Sequence, residues 1–495
     1  MPDIRIPIQL FAMKILLLNP PSSDKKFYIR EGRCTQEKGM WATLWPPISL
    51  AACGAVLEKN QHEVEIVDCA AQEISRTAFL KKIRPNKYQL VAWSSSTPTI
   101  NSDLSFADEL KNCDPGIKTA VFGTHVSVLA EDCLNHTTGL DFVIRNEPEE
   151  SMSQLADVLE RHTALDDISG ISYKDSNGRI CHNPQRPFIQ DLDQLPFPAW
   201  HLLDLEKYKL PLNGKAYLIL APLRGCPFPC TFCTARTYYG RTLRRKSTPV
   251  MMKEIERNID SFGVKEFFIW ADTFTVDRDY VMAFCQSVRQ QGLDIGWTCN
   301  SRVDTVDQEL LTAMRAAGCW MISYGIESGN QKILDTVKKK ITLEQSRTAV
   351  AMAKRAGIKV AAHFILGLPG ETEKSINETI DFALNLDPDL AQFYCATPFA
   401  GSDLYEAAKA SGWIKGSEFR EFSQETAVMS LPGLAPERVN KFRNKAYRRF
   451  YLRPVAIFRL LKMIKAKGLF RAIAGGLKFT FNTGYNQIQR EKDVQ

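Results

Sequence analysis

Cys226, Cys230 and Cys233 are the residues of this sequence best suited to chemistry. They stand in Arg224-Gly225-Cys226-Pro227-Phe228-Pro229-Cys230-Thr231-Phe232-Cys233, a C-x3-C-x2-C run. A thiolate is a soft ligand, suited to zinc or to an iron–sulfur cluster. Structural zinc takes four ligands, and no fourth Cys or His follows within ten residues. Three thiolates on a cubane cluster leave one iron without a protein ligand, and an open iron can bind and activate a small molecule. A zinc knuckle that borrows a distant ligand is the alternative. Pro227 and Pro229 fix φ on either side of Phe228 and stiffen the loop.

The elements around this run alternate between apolar strands and helices. Strands are expected at 216–220, 266–270, 295–299, 320–324, 360–366 and 391–395, with a helix over 248–262. Their polar ends are Ala271-Asp272-Thr273, Asn300-Ser301-Arg302-Val303-Asp304, Gly325-Ile326-Glu327-Ser328 and Gly367-Leu368-Pro369-Gly370-Glu371-Thr372. Six strand–helix units predict a partial (β/α)6 barrel, in which active-site groups gather at the C-terminal strand ends. His363, inside a strand, reads as a buried structural histidine, with substrate contact second.

Upstream, strands are expected at 14–18, 64–68, 90–93, 119–122 and 141–144, with helices over 48–59 and 101–112. This pattern predicts an α/β fold with a doubly wound, Rossmann-like parallel sheet, whose ligands bind beyond the carboxyl ends of the strands. Those ends carry Asn19-Pro20-Pro21, Ser94-Ser95-Ser96-Thr97, Gly123-Thr124-His125 and Asn146-Glu147. No G-x-G-x-x-G follows the first strand, which excludes the usual dinucleotide site. Residues 166–212 read as a linker, with a hairpin turning at Asp175-Ser176-Asn177-Gly178.

The 13 cysteines are scattered, not spaced as a secreted disulfide framework, so a reducing cytoplasm is expected. The N-terminus lacks the apolar core of a signal peptide, and Met13 is an alternative start. No apolar run reaches the roughly 18 residues of a membrane span. From Ala435 onward there are 15 Lys/Arg and 3 Asp/Glu, against 48 and 53 in the rest of the chain. Over 455–465, and again around Gly468 and Gly476, basic residues recur at helical spacing beside apolar ones. Such a segment reads as a membrane-surface helix, or else as a helical cap on the barrel. No nucleic-acid partner is expected.

The cysteine spacing, with Phe232 just before the third cysteine, resembles the radical S-adenosylmethionine (SAM) signature. Asn19-Pro20-Pro21, Trp45-Pro46-Pro47 and Gly123-Thr124-His125, in that order upstream, resemble the cobalamin-binding domain that precedes many radical SAM barrels. Together they resemble the B12-binding radical SAM family, which includes class B methyltransferases and the anaerobic magnesium-protoporphyrin monomethyl ester cyclases. The resemblance extends to about Gly412. It implies a cobalamin-binding domain over 13–165, a linker over 166–212, a radical SAM barrel over 213–412 and a basic helical region over 413–495.

The resemblance also implies site roles. Cys226, Cys230 and Cys233 would hold a [4Fe–4S] cluster whose fourth iron chelates SAM, with Phe232 near the adenine. Arg302 would hold the SAM carboxylate through its planar fork. Glu327 would accept from the ribose or amine, Asp272 from the amine, and Gly367 and Gly370 would let backbone approach SAM. Ser94, Ser95, Gly123, His125 and Glu147 would line the corrin. The Asp-x-His-x-x-Gly motif that ligates cobalt from below is missing, since Leu134 stands where His136 would need an Asp. Cobalamin without a lower histidine is therefore expected. The activity implied is methylation of an unactivated carbon in a lipid-like or secondary-metabolite substrate, with flavodoxin or ferredoxin as electron donor. Radical cyclisation, hopanoid-type rearrangement, or a non-catalytic cobalamin-binding regulator are the alternatives. The location implied is the cytoplasm, with the basic tail on the membrane's cytoplasmic face.

Overall fold

The computed structural model describes residues 12–463, except 25, 32–35, 38–43, 211–213 and 416–417. The basic pattern from residue 464 onward lies outside the described residues.

The first sheet has seven strands: β1 Lys14–Asn19, β2 Glu63–Asp68, β3 Leu90–Ser94, β4 Lys118–Phe122, β5 Phe142–Ile144, β6 Ile171–Lys174 and β7 Ile180–His182. Their order is β2-β1-β3-β4-β5-β6-β7. The first five run parallel, and β1 and β3 are apolar and buried because helices cover both faces of the sheet. Helices α1 Ile48–Lys59 and α2 Pro148–Arg161 pack together on one face. The hairpin read as linker instead extends the sheet, with β6 antiparallel to β5 and β7 to β6. Ile171, Ser172 and Tyr173 are buried there, and they cover an edge that the short β5 would otherwise leave open.

The second sheet is the barrel. Its chain begins with β8 Tyr217–Leu220 and the two-residue ribbon β9 Leu223–Arg224 and β10 Arg244–Arg245, on which the cysteine loop is carried. Then follow β11 Glu266–Ile269, β12 Gly296–Ser301, β13 Cys319–Glu327, β14 Lys359–Leu366 and β15 Leu390–Cys395. The six long strands are parallel, in the order β8-β11-β12-β13-β14-β15. The helices between them are capped from the sequence. Ser247 caps α3 Thr248–Phe262 and Gly263 ends it in the left-handed region, while Thr372 makes a capping box for α4 Glu373–Leu386.

Six strands leave an open edge at β15. Helix α5 Pro436–Tyr451 covers it, burying Val439, Phe442, Ala446 and Phe450. Ala391 N–H donates to the Tyr451 hydroxyl at 3.0 Å, Phe393 N–H to the Tyr447 hydroxyl at 3.2 Å, and Arg443 Nε to the Phe393 carbonyl at 2.8 Å. Three side chains thus serve the edge groups that a seventh strand would have paired. The first half of the basic region is therefore a barrel cap. Helix α6 Pro454–Met463 follows, held to Asp387 by Arg453 and Arg459 at 3.2 and 2.5 Å. Leu452, Val455, Ile457 and Phe458 are exposed beside it, Leu452 by 63%. No helix among the described residues is long and apolar enough to cross a membrane.

Candidate active site

The cysteine loop is pinned from three directions. Cys226 N–H donates to Gly240 O at 3.1 Å, Thr231 N–H to Val337 O at 3.1 Å, and Leu404 N–H to Thr231 O at 2.9 Å. Cys226 and Cys230 are buried and Cys233 is half-buried. Burial pushes the Cys230 thiol up, while Lys339 and Arg302 pull it down. The net direction is upward, and the two cations offset part of the cost of a thiolate there. Among the described residues, the trio of His, Cys, Asp or Glu whose ligand atoms converge within 4.8 Å is His62, Asp157 and Glu160. Three cysteines fall one short of the four ligands a structural zinc takes, a donor set that fits a cluster with one open iron better than a single zinc.

Arg302 and Glu327 come to the same strand ends as the cysteines. Arg302 Nε and Nη2 each donate to Asp304 at 2.8 Å, Nη2 also donates to Lys339 O at 2.8 Å, and Nη1 donates to Cys230 Sγ at 3.8 Å. Its guanidinium lies 3.7 Å over the Phe228 ring. Glu327 accepts from Lys339 Nζ at 2.6 Å in a pair whose side chains are 9% and 7% exposed. Its φ of 67° is left-handed, a conformation costing a glutamate about 1–3 kcal/mol. A Cβ on Gly325 would sit 2.5 Å from Glu327 Oε1 and 3.0 Å from Lys339 Nζ, so the glycine makes room for the ion pair.

The remaining barrel positions divide. Asp272 follows β11 and is half-buried, and Phe232 packs against the barrel core. Gly367 and Gly370 have φ of 85° and 84°. A Cβ on Gly367 would press on Val439 of α5 at 3.1 Å, so this glycine serves the packing of the cap. Glu371 is buried, and its carboxylate accepts from the N–H groups of Gly367 and Leu368. Burial pushes it up to about 8 against those donors. His363 stacks on Tyr394 at 5.8 Å, and burial lowers its pKa.

The first sheet's strand ends carry a closed polar network. Arg30 donates through Nη2 and Nε to Asp103 at 2.7 and 3.0 Å, and Ser95 and Thr99 hydroxyls donate to the same carboxylate at 2.7 Å. Ser94 Oγ donates to Arg30 O at 3.2 Å, and Asp68 accepts from Asn19 at 2.7 Å and Tyr208 at 2.8 Å. Gly123, at φ 133°, lets β3 and β4 close up, because a Cβ would meet Ser95 O at 2.2 Å. His125 is buried, its Nδ1 3.1 Å from Thr97 Oγ1 and its ring 4.7 Å from that of Phe419. Burial lowers its pKa to about 4, so it stays neutral. Ser94, Ser95, Thr97, Thr99 and His125 are buried and already hydrogen-bonded here. The crevice beside them is lined by Asn19, Arg30, Asp68, Ser94 and Trp45. Trp45 also packs edge-on against Phe268 at 5.2 Å and Trp270 at 4.9 Å, so the crevice opens between sheet and barrel.

Glu147 does not face this crevice. Its carboxylate accepts from Arg224 and Arg244 of the ribbon and from Ile189 N–H. The expected corrin contact is taken up by charge pairs with the barrel, because the residue is buried where β5 ends and α2 begins. Sequence reasoning missed Lys339, which reads as one of a solvated run of three lysines. Left-handed φ at Lys338 and Lys340 turns its side chain inward. Arg30 and Asp103 were missed as well, and Asp304 stood in a polar strand-end run without a role.

Comparison with known proteins agrees with this architecture. The B12 binding domain model matches residues 41–156 and the Radical SAM superfamily model residues 220–383. An uncharacterised methyltransferase of Pyrococcus horikoshii is 33% identical over 90% of this chain and 94% of its own length. The anaerobic magnesium-protoporphyrin IX monomethyl ester cyclase of Rubrivivax gelatinosus is 28% identical over 90% of this chain and 80% of its own. Among solved structures, the radical S-adenosylmethionine methyltransferase TsrM of Kitasatospora setae, with cobalamin and [4Fe–4S] cluster bound, superposes with a TM-score of 0.65. It is 14% identical, covering 92% of this chain and 90% of that one, a likeness of fold.

Proposed function

The chain belongs to the radical SAM superfamily and carries a B12 binding domain, and on that premise we propose that it methylates an unactivated carbon. It is a radical SAM enzyme, and its cofactors are a [4Fe–4S] cluster, SAM and cobalamin. When bound, the cluster supplies the electron that splits SAM into methionine and a hydrogen-abstracting radical, and the corrin supplies the methyl group.

In this reading Cys226, Cys230 and Cys233 hold the cluster as thiolates, their charge offset by Arg302 and Lys339. Arg302 Nη1 has a second hydrogen beside the one on Cys230, and it donates that to the SAM carboxylate. Glu327, fixed by Lys339, accepts from the SAM amine or ribose, and Asp272 accepts from the amine. Phe232 packs near the adenine, and the turn at Gly367 and Gly370 approaches the ligand with backbone. Ser94, Ser95, Gly123 and neutral His125 bound the corrin surface. What supports the reading is the 33% identity, over 90% of this chain, to a protein described as a methyltransferase.

The substrate is a small molecule, and we favour a lipid-like one. The exposed apolar residues Leu452, Val455, Ile457 and Phe458 beside exposed Lys462 support contact with an anionic leaflet from the cytoplasm. Flavodoxin or ferredoxin is the proposed electron donor. Val455→Asp/Phe458→Asp should lower co-sedimentation with phosphatidylserine vesicles at low salt. Equal sedimentation of both proteins would remove the membrane from this reading.

Radical cyclisation without methyl transfer is the second reading, supported by the 28% identity to the cyclase. An anaerobic assay separates them. Reconstituted protein is incubated with SAM, reductant and candidate substrates, and 5′-deoxyadenosine and S-adenosylhomocysteine are measured. Methyl transfer gives both in step, whereas 5′-deoxyadenosine alone supports cyclisation.

A further inference from the structure

Between the two sheets lies a buried quartet of charges that neither cofactor site uses. Arg224 is the last residue of β9 and stands two positions before Cys226. Its Nη1 donates to Glu147 Oε1 at 3.0 Å and its Nη2 to Glu149 Oε1 at 2.5 Å. Arg244, its partner across the β9–β10 ribbon, donates through Nη1 to both oxygens of Glu147 at 2.8 and 2.9 Å and to Ile189 O at 2.7 Å. The four side chains are 11%, 3%, 3% and 4% exposed for Arg224, Arg244, Glu147 and Glu149. Both carboxylates sit at the start of α2, where the N-terminal end of a helix favours negative charge.

The ribbon end of the quartet is rigid and leads straight into the cysteines. Gly225, at φ 94°, brings the chain so close to Thr242 that a Cβ would lie 2.2 Å from its carbonyl oxygen. Cys226 N–H is held by Gly240 O, and Gly240 is itself pressed against the Phe188 ring, 2.8 Å from where a Cβ would be. Arg244 lies 5.0 Å over that same ring. The first cluster ligand is therefore joined to the first sheet through short, largely buried contacts.

Stability alone does not call for charges here, because apolar residues of similar volume would fill the space as well or better. What paired charges add is register, since a shifted pair leaves a buried charge uncompensated. We propose that Arg224, Arg244, Glu147 and Glu149 are positioning residues that set the separation and orientation of the cysteine loop relative to the corrin-binding end of the first sheet. They thereby couple SAM cleavage to methyl transfer. The inference rests on the function proposed above.

The test uses full-length protein loaded with both cofactors and compares Glu149→Gln with the apolar pair Arg224→Met/Glu149→Leu. Two quantities are read: the distance distribution between cob(II)alamin and the reduced cluster by pulsed electron paramagnetic resonance, and 5′-deoxyadenosine formed per S-adenosylhomocysteine. In both variants the distribution should broaden, and methyl transfer should fall by about 100-fold with SAM cleavage retained, as a misplacement near 1 Å would cause. The apolar pair should keep the wild-type melting temperature and still be uncoupled. Coupling that returns with stability in the apolar pair would overturn the proposal, as would wild-type distances and ratios in Glu149→Gln. Wild-type protein that binds no cobalamin would instead contradict the function. The distance between spin labels on the two sheets of the apo protein would still test the register.

Discussion

The two sets of strand ends are built on opposite plans. At the barrel end, charged groups are held in uncommon conformations around reactive sulfur. Glu327 is left-handed, Lys339 lies between two left-handed lysines, and Arg302 is stacked on Phe228 against Cys230. At the first sheet's end, the Arg30–Asp103 pair is closed off by the Ser95 and Thr99 hydroxyls, and Asp68 is held by the neutral donors Asn19 and Tyr208. In the proposed reading the first plan would keep groups poised for SAM, which is consumed, and the second would make a platform for the corrin, which stays.

The largest effect expected is at the thiols. Cys226→Ala, Cys230→Ala or Cys233→Ala should reduce 5′-deoxyadenosine to background while corrin absorbance of the purified protein stays near wild type. Full SAM cleavage by any of the three would break the comparison at its barrel end.

Charge deletions at the two ends should cost alike in stability and differ in activity. Lys339→Met leaves Glu327 buried without its cation, and Arg30→Met leaves Asp103 without its own though still bonded to Ser95 and Thr99, each at about 3–5 kcal/mol in urea denaturation. Only Lys339→Met should lose SAM cleavage in the folded protein, while Arg30→Met should lose cobalamin retention. The reverse pattern would show that the two ends had been given each other's roles.

A smaller effect concerns Glu371 beneath the barrel turn. Its folded value, about 8, lies above the ordinary 4.5. Its contribution to stability is therefore full below about pH 4.5 and is lost as pH rises through about 8. Glu371→Gln keeps an acceptor for the Gly367 and Leu368 N–H groups and cannot ionise. Relative to this variant, wild type should lose stability across that window in urea midpoints, and parallel curves would show that the carboxyl titrates normally. The smallest change is expected at His125. The cob(II)alamin spectrum should show no histidine nitrogen coupling, and His125→Ala should leave it unaltered. A nitrogen signal lost in His125→Ala would mean that the imidazole leaves Thr97 for cobalt.

What could be read from the sequence follows the range of the interactions. The cysteine loop and Gly325-Ile326-Glu327-Ser328 are local runs, and the strands betray themselves by apolar stretches with polar ends. The hairpin at 171–182 was visible as a hairpin but not as a sheet edge, because pairing with β5 is a tertiary fact. Arg30 and Asp103 are 73 residues apart and Arg224 and Glu149 75 apart, and nothing in either neighbourhood announces the other. Lys339 was hidden by its own neighbours, since three lysines in a row look like a solvated surface. Val439, which fills the space at Gly367, belongs to a helix that composition alone marked as basic.

The most direct test of the account is anaerobic incubation of the cofactor-loaded protein with a strong chemical reductant and SAM labelled in its methyl group. If the barrel end cleaves SAM and the sheet end holds the methyl carrier, label will be recovered on the corrin and 5′-deoxyadenosine will appear in solution. Cys230→Ala should lose the 5′-deoxyadenosine. Wild-type protein that makes 5′-deoxyadenosine yet never moves label to the corrin would contradict it.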